Sequence, residues 1–403
     1  MQLRKTLRKP TFAATGALVL LSGCTASPTV RTTPPPTAEK AVASERTVSR
    51  ASAGAGGCSL SPDGVLELVS WTRICDLGVD LLSGDDGQYE ASGLQYDDAD
   101  GFLYAVFDNS LRILEVRPDW TEASLSTVRQ DTDSSDYEAI TWENKDTEHL
   151  YVMVEMAEHG DDEDGKVIPY DMSLTAGSGE WTDYSFEKSN KGFEGAAWLY
   201  HCSSSDTDGD DYLLGLCEGN GCNDTKDDGN GRVVVLRQKS HHGDTTWEEI
   251  DDGKLHLPAT ACFGDYSDIA LYPRFPAACD CNPGVCAGCD DFCPTGTGTY
   301  AVAVVSQESS ALWLGTLDTT DWSFSQGRVY LFPQTQDGDT IYGNVEGVTF
   351  LSAAPETGVA YRIAVATDAH QSNPPCLGSL PAEPDSKDNS DQSLYIFDVP
   401  ATD

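Results

Sequence analysis

Apolar and polar positions fall in short blocks along this chain, and the blocks recur. A motif of an acidic or Ser residue, a small or acidic residue and an aliphatic one appears five times: Ser92-Gly93-Leu94, Glu138-Ala139-Ile140, Glu194-Gly195-Ala196, Ser267-Asp268-Ile269 and Glu346-Gly347-Val348. An aromatic residue follows each, at Tyr96, Trp142, Trp198, Tyr272 and Phe350. Next comes an apolar run ending in a polar or acidic residue: Leu103–Asp108, Leu150–Glu155, Tyr212–Glu218, Tyr300–Gln307 and Arg362–Asp368. A third apolar segment completes each unit, at Leu111–Val116, Val167–Tyr170, Val233–Leu236, Leu312–Leu317 and Leu394–Val399. Runs this short, dominated by Val, Ile, Tyr and Leu and punctuated by Gly, Asp, Asn and Ser, are strands. Several are apolar on both faces, as a sheet sandwiched between neighbours requires.

The motifs start at 92, 138, 194, 267 and 346, so the spacing grows from 46 to 79 residues. A propeller blade needs about 40–50 residues. The first unit is near that minimum, and the later ones carry polar, Gly-rich or Cys-rich insertions. No long amphipathic helix interrupts the pattern. The expectation is an all-β, five-bladed β-propeller, or six-bladed if a long insertion hides a degenerate unit. Radial closure of this kind leaves few open sheet edges. The fifth unit lacks a fourth strand, and the segment Leu66 to Cys75 upstream of the first motif is expected to supply it, closing the last blade with N-terminal chain.

The N-terminal region reads differently. Arg4, Lys5, Arg8 and Lys9 precede a short apolar run, Thr11 to Leu21. That run is well short of the roughly 20 residues a membrane-spanning helix needs, and it reads instead as an export signal. It ends in Leu21-Ser22-Gly23-Cys24, which resembles the lipobox of bacterial lipoproteins. The resemblance implies cleavage after residue 23, lipidation of Cys24, and residence outside the cytoplasm, membrane-anchored at the cell surface. Thr25 after the Cys would suit the outer membrane of a Gram-negative host. Residues 24–57 are rich in Pro, Thr, Ala, Ser and Gly and read as a flexible tether. The folded domain is expected over 58–403.

Composition narrows the partners. The chain carries 25 basic against 66 acidic residues, a net charge of −41, and losing the four basic residues of the leader makes the excess larger still. Phosphate backbones and anionic membrane surfaces are recognised by basic patches, so nucleic acid is excluded as a partner class. Divalent cations or a solvated acidic surface fit this balance, and a monomer is expected.

Of thirteen cysteines, Cys24 is assigned to the lipid. The other twelve are Cys58, Cys75, Cys202, Cys217, Cys222, Cys262, Cys279, Cys281, Cys286, Cys289, Cys293 and Cys376. In an exported chain they read as disulfide partners, with connectivity open. The cluster from Cys279 to Cys293 contains a Cys-x-x-Cys that in a cytosolic protein would suggest zinc. Here it reads as stapling of a Pro/Gly-rich insertion at about 276–296.

The order Ser-Gly-Leu, Asp-Tyr-Glu-Ala-Ile, Gly-Phe-Glu-Gly-Ala, Asp-Tyr-Ser-Asp-Ile and Val-Glu-Gly-Val resembles the SdiA-regulated family of bacterial β-propellers. It is also similar, more distantly, to the phytase-like propellers called "esterase-like activity of phytase". The resemblance covers about residues 66–400 and implies an exported propeller able to bind calcium. Ala139 and Asp268 stand where Gly is usual, and the Cys-rich insertion is a further departure.

The first strand of each blade lines the channel of a propeller, so Glu138, Glu194 and Glu346 are expected to face one axis, with Ser92 and Ser267 in the other two places. Asp108, Glu155, Glu218 and Asp368, at the ends of second strands, form a second layer. Two carboxylates about 5 Å apart repel by roughly 1 kcal/mol in water and several times more when partly buried. Such a cluster takes up protons, recruits a basic residue or binds a cation, and oxygen ligands suit Ca²⁺. The plainer alternative is that these acids cap backbone amides at blade corners. A second calcium candidate is the run containing Asp206, Asp208 and Asp210, whose alternating carboxylates resemble part of a calcium loop. It lacks the glycine of an EF-hand at the sixth position.

No Gly-x-Ser-x-Gly elbow, His-Glu-x-x-His or phosphate-cradling Gly-x-x-x-x-Gly-Lys occurs, and no catalytic residue is assigned. The expected function is a calcium-binding extracellular interaction module, with an unidentified ligand or protein as partner. The alternative is a calcium-dependent phosphoesterase, for which Lys188, Lys191 and Arg362 are the basic residues nearest the motif strands.

Overall fold

The computed structural model describes residues 60–79, 90–108, 110–126, 137–143, 149–159, 162–186, 192–201, 210–218, 231–241, 244–273, 298–325, 327–334, 342, 344–353, 358–368 and 393–401. Among them are strands, two short 3-10 turns and no α-helix.

Strands β1 (Gly64–Val65) and β2 (Glu67–Arg73) open the fold. A first antiparallel meander follows: β3 (Ala91–Asp97), β4 (Phe102–Phe107), β5 (Ser110–Val116) and β6 (Ala123–Leu125). The second is β7 (Tyr137–Glu143), β8 (His149–His159), β9 (Asp162–Asp171) and β10 (Glu180–Ser185). The third is β11 (Phe193–His201), β12 (Asp210–Cys217), β13 (Arg232–His241) and β14 (Asp244–His256). The fourth contains β15 (Asp268–Pro273), β16 (Thr299–Ser306), β17 (Ala311–Asp318), the short β18 (Ser323–Phe324) and β19 (Arg328–Leu331). The fifth is β20 (Val345–Ala353), β21 (Val359–Thr367) and β22 (Ser393–Pro400). Its fourth strand is β2, which pairs antiparallel with β22 and sets Trp71 opposite Tyr395. The N-terminal strand therefore completes the last sheet, as the sequence suggests.

The inner strands close a ring: β3 lies against β7, β7 against β11, β11 against β15, β15 against β20, and β20 back against β3. The hydrophobic core follows the same plan, with one cluster in each seam. Tyr104 and Val106 of the first meander pack with Ile140 and Val152 of the second. Ala364 and Leu394 of the fifth pack with Leu94 and Leu103 of the first, which closes the circle. The second strand of each unit is buried on both faces, Leu103 to Phe107 being the clearest run. That is why these segments are apolar without alternation. The whole is a β-propeller.

Two features go beyond the sequence reading. The outer strands β10 and β14 pair in parallel, so the second and third meanders form one eight-stranded sheet. The two-residue β1 pairs in parallel with β19, so the N-terminal segment grips the fourth meander as well as the fifth.

The middle residue of the motif explains itself at the ring. A methyl group on Gly195 would lie 2.8 Å from Cα of Asp268 and from the Ile269 nitrogen. One on Gly93 would lie 2.7 Å from Cα of Ala139. Backbone meets backbone there, so side chains must be small. Gly195→Ala is expected to destabilise the protein by about 1–3 kcal/mol through overpacking. Urea unfolding checks this, and an unchanged midpoint would refute the close-packed ring.

Candidate functional site

The first motif residue points to the axis because the strand bulges beneath it. Pairing of the inner strand with its neighbour slips at Ser92, at Glu138, at Glu194 and at Glu346. A bulge re-aims the extra side chain and bends the strand locally. The second layer sits where each second strand runs out, as Asp108, Glu218, Gln307 and Asp368 immediately follow β4, β12, β16 and β21. Glu155 takes the equivalent place on β8, beside a break in its register.

These side chains converge on a cavity of about 500 Å³. Its walls include Glu138, Glu194, Glu346, Asp108, Glu155, Glu218 and Asp368, all seven acids expected from the sequence. Ser92, Ser267 and Gln307 fill remaining places, and two further acids, Glu90 and Asp265, join them. Among the described lining residues there is no Lys, Arg or His. Carboxylate oxygens of Glu155, Glu194 and Glu218 lie within 4.8 Å of one another.

Asp265 and Glu90 escape the sequence motif because the motif begins after them. Both stand two positions upstream of it, in Asp265-Tyr266-Ser267 and Glu90-Ala91-Ser92. Aligning the copies two residues further back finds them.

Electrostatics divides the acids by role. The Glu155 carboxylate accepts the Gly192 N–H at 3.1 Å. Asp265 accepts the Ser306 hydroxyl and the Glu308 N–H. For these two, capping of backbone amides is part of their work. Glu194 and Glu346 have no such hydrogen bond among the described residues. Burial pushes the Glu194 carboxyl well above the usual carboxylate range, and the charges of Glu138, Glu155, Glu218 and Glu346 push it further. Glu346 is pushed up to about 8, by burial first and then by Asp368, Asp265, Asp108 and Glu218. Burial also raises Asp265, against the opposing effect of Ser306 and Glu308.

The other sequence candidates lie elsewhere. Asp210 sits at the start of β12, 3.6 Å from the Arg237 guanidinium, and does not line the cavity. Arg362 makes a bidentate pair with Asp398, at 2.7 and 2.9 Å, and so does not supply the channel with charge. Cys75, Cys217 and Cys262 are disulfide-bonded. Cys24, Cys58, Cys202, Asp206, Asp208, Cys222, Cys279, Cys281, Cys286, Cys289, Cys293, Cys376, Lys188 and Lys191 lie outside the described residues.

No protein-family model and no curated protein matches the chain. Solved structures that align with it include the calcium-binding protein regucalcin from Agrobacterium tumefaciens, 12% identical over 84% of this chain and 97% of that one, with a TM-score of 0.35. The soluble aldose sugar dehydrogenase of Escherichia coli is 9% identical over 82% and 99%, at 0.38. A luciferin-regenerating enzyme is 10% identical over 82% and 95%, at 0.35. Likenesses at this level carry no functional weight, and the propeller follows from the strand order itself.

The donor set fits a hard cation: carboxylates with hydroxyls and one amide, all oxygen donors, and no competing positive charge. Without a cation the raised carboxyls govern the response to pH. A carboxyl raised in the folded state stabilises fully below its unfolded pKa, and that contribution is lost as pH rises through the folded value. For Glu346 the window runs from about 4.5 to about 8. In chelator the melting temperature is therefore expected to fall between pH 5 and pH 8. Glu346→Gln should flatten that slope and melt higher than the parent at pH 8. Scanning calorimetry at the two pH values decides, and a rising slope would contradict the assignment.

Proposed function

We propose that this protein is an exported, lipid-anchored β-propeller of the cell surface that binds calcium in its channel and presents its loops as an extracellular interaction module. The observation that carries the reading is the cavity whose described walls hold nine carboxyls and no basic side chain. Two of those acids, Glu194 and Glu346, have no hydrogen-bond partner among the described residues. Charges held this close are relieved by protons or by a cation, and flexible oxygen-only cages suit Ca²⁺ better than the strict octahedron of Mg²⁺. Glu155, Glu194 and Glu218 are the first ligands of the proposed site, with Glu138, Glu346, Asp108 and Asp368 around them.

The leader, the lipobox-like Leu21 to Cys24 and the tether at 24–57 support export and anchoring. The same compartment supports reading the twelve remaining cysteines as a disulfide framework. Membership of the SdiA-regulated and phytase-like propellers belongs to the same proposal and rests on motif order. The phosphoesterase alternative calls for basic groups converging on a phosphate beside the metal. The described lining offers none, and Arg362 is paired with Asp398. That favours binding over hydrolysis.

Titration calorimetry of the full-length chain with calcium is expected to show saturable binding and a melting temperature raised by the ion and lowered by chelator. Glu194→Gln should weaken binding by about tenfold or more, at least the cost of losing an outer partner of a ligand. No heat together with chelator-insensitive melting would end the calcium reading. Separately, Cys24→Ser is expected to move the protein from the membrane fraction to the soluble one. Unchanged fractionation would end the anchor reading.

A further inference from the structure

The fourth motif is the odd one. It reads Ser267-Asp268-Ile269 where two others read Glu-Gly-aliphatic, and, like the first motif with Ser92, it contributes no acid from its first position to the channel. Its middle residue is a buried carboxylate, 1% exposed, at a place where the other four copies have Gly or Ala. A charge there requires local compensation, because burying an unpaired carboxylate costs several kcal/mol.

The partners are backbone groups of the neighbouring inner strands. Asp268 accepts the Val348 N–H at 2.7 Å and the N–H of its own neighbour Ile269 at 2.8 Å. The Leu94 N–H, on β3 of the first meander, also lies near enough to favour its charge. One residue earlier, the Ser267 hydroxyl donates to the Val345 carbonyl at 2.6 Å. Val345 and Val348 flank Glu346, so the backbone on both sides of that acid is tied to the fourth meander.

We infer that Ser267 and Asp268 form a clamp that positions Glu346 in the channel, the fourth motif having exchanged a ligand for a holder of its neighbour's ligand. Asp268 is a positioning residue, since it does not line the cavity. A small residue would fit the motif but leave the Val348 N–H without this acceptor, so that Glu346 would face the repulsion of Asp368 and Asp265 with only the pairing of β20 to β21 to hold its backbone. The clamp also ties the fourth meander to the fifth, which a Gly at this place cannot do.

The inference rests on the cation reading above, and its test separates the two. Calcium affinity of the full-length chain is measured for Asp268→Gly, Asp268→Asn and Ser267→Ala. Val152→Ala, a core truncation in the seam of the first and second meanders, is the control for lost stability. Asp268→Gly is expected to weaken calcium binding by about tenfold beyond the control, the scale seen when a metal ligand loses its outer partner. Asp268→Asn, which keeps one acceptor oxygen, should fall between. If Asp268→Gly weakens binding no more than Val152→Ala does, Asp268 serves general stability alone and the clamp is wrong. If the parent chain takes up no calcium, the cation reading falls and amide exchange decides the clamp. Faster exchange at Val348 in Asp268→Gly than in Val152→Ala would uphold it, and equal rates would overturn it.

Discussion

The structure depends on how closely five inner strands can approach one another. Their backbones meet at the middle residue of three of the motifs, where a methyl on Gly93, Gly195 or Gly347 would come within 2.9 Å of the next strand. Everything outward follows from that contact. The seams are close enough for one hydrophobic cluster to fill each, and the second strands are covered on both faces. Short side-chain bonds then lock individual seams: the Trp198 N–H donates to the Thr141 hydroxyl at 2.8 Å, and the Tyr96 N–H to the Thr349 hydroxyl at 3.1 Å. A tight ring is a requirement of packing, and a ring of bulged carboxyls follows from it.

The channel and the core pull in opposite directions. Apolar burial in the seams stabilises the ring, whereas Glu194 and Glu346 face several like charges across a small volume. The fold tolerates this because the acids open onto a cavity and because some, Glu155 and Asp265 among them, accept backbone N–H groups. The residual repulsion is concentrated at the two acids with no such partner. The same side chains that strain the empty ring are those best placed to hold a cation, so the cost of the site and its chemistry have one source.

Much of this was legible in the sequence, for a physical reason. A fivefold repeat writes the same environment five times, so Glu138, Glu194 and Glu346 could be assigned to one axis without knowing any distance. The acids ending second strands followed from the same register, and Leu66–Cys75 was identifiable because one unit was short of a strand. What escaped was whatever departs from the repeat. Asp265 and Glu90 lie just outside the motif as drawn. Asp268 read as a degenerate copy, because a carboxylate in a glycine position has meaning only when the Val348 and Leu94 N–H groups are seen beside it. The parallel pairing of β10 with β14 left no pattern, since it joins only Trp181 and Thr182 to Thr246 and Trp247.

That outer pairing bears on how the molecule behaves among other copies of itself. A radial stack of sheets ends in rim strands, each a row of backbone donors and acceptors on which a foreign strand could grow. Here β10 and β14 satisfy each other, β19 is covered by β1, and β6 is only three residues long. Among the described residues the one full-length open rim is β2, whose Val69 is exposed. Among the described residues, templated association of this propeller has one full-length edge on which to begin.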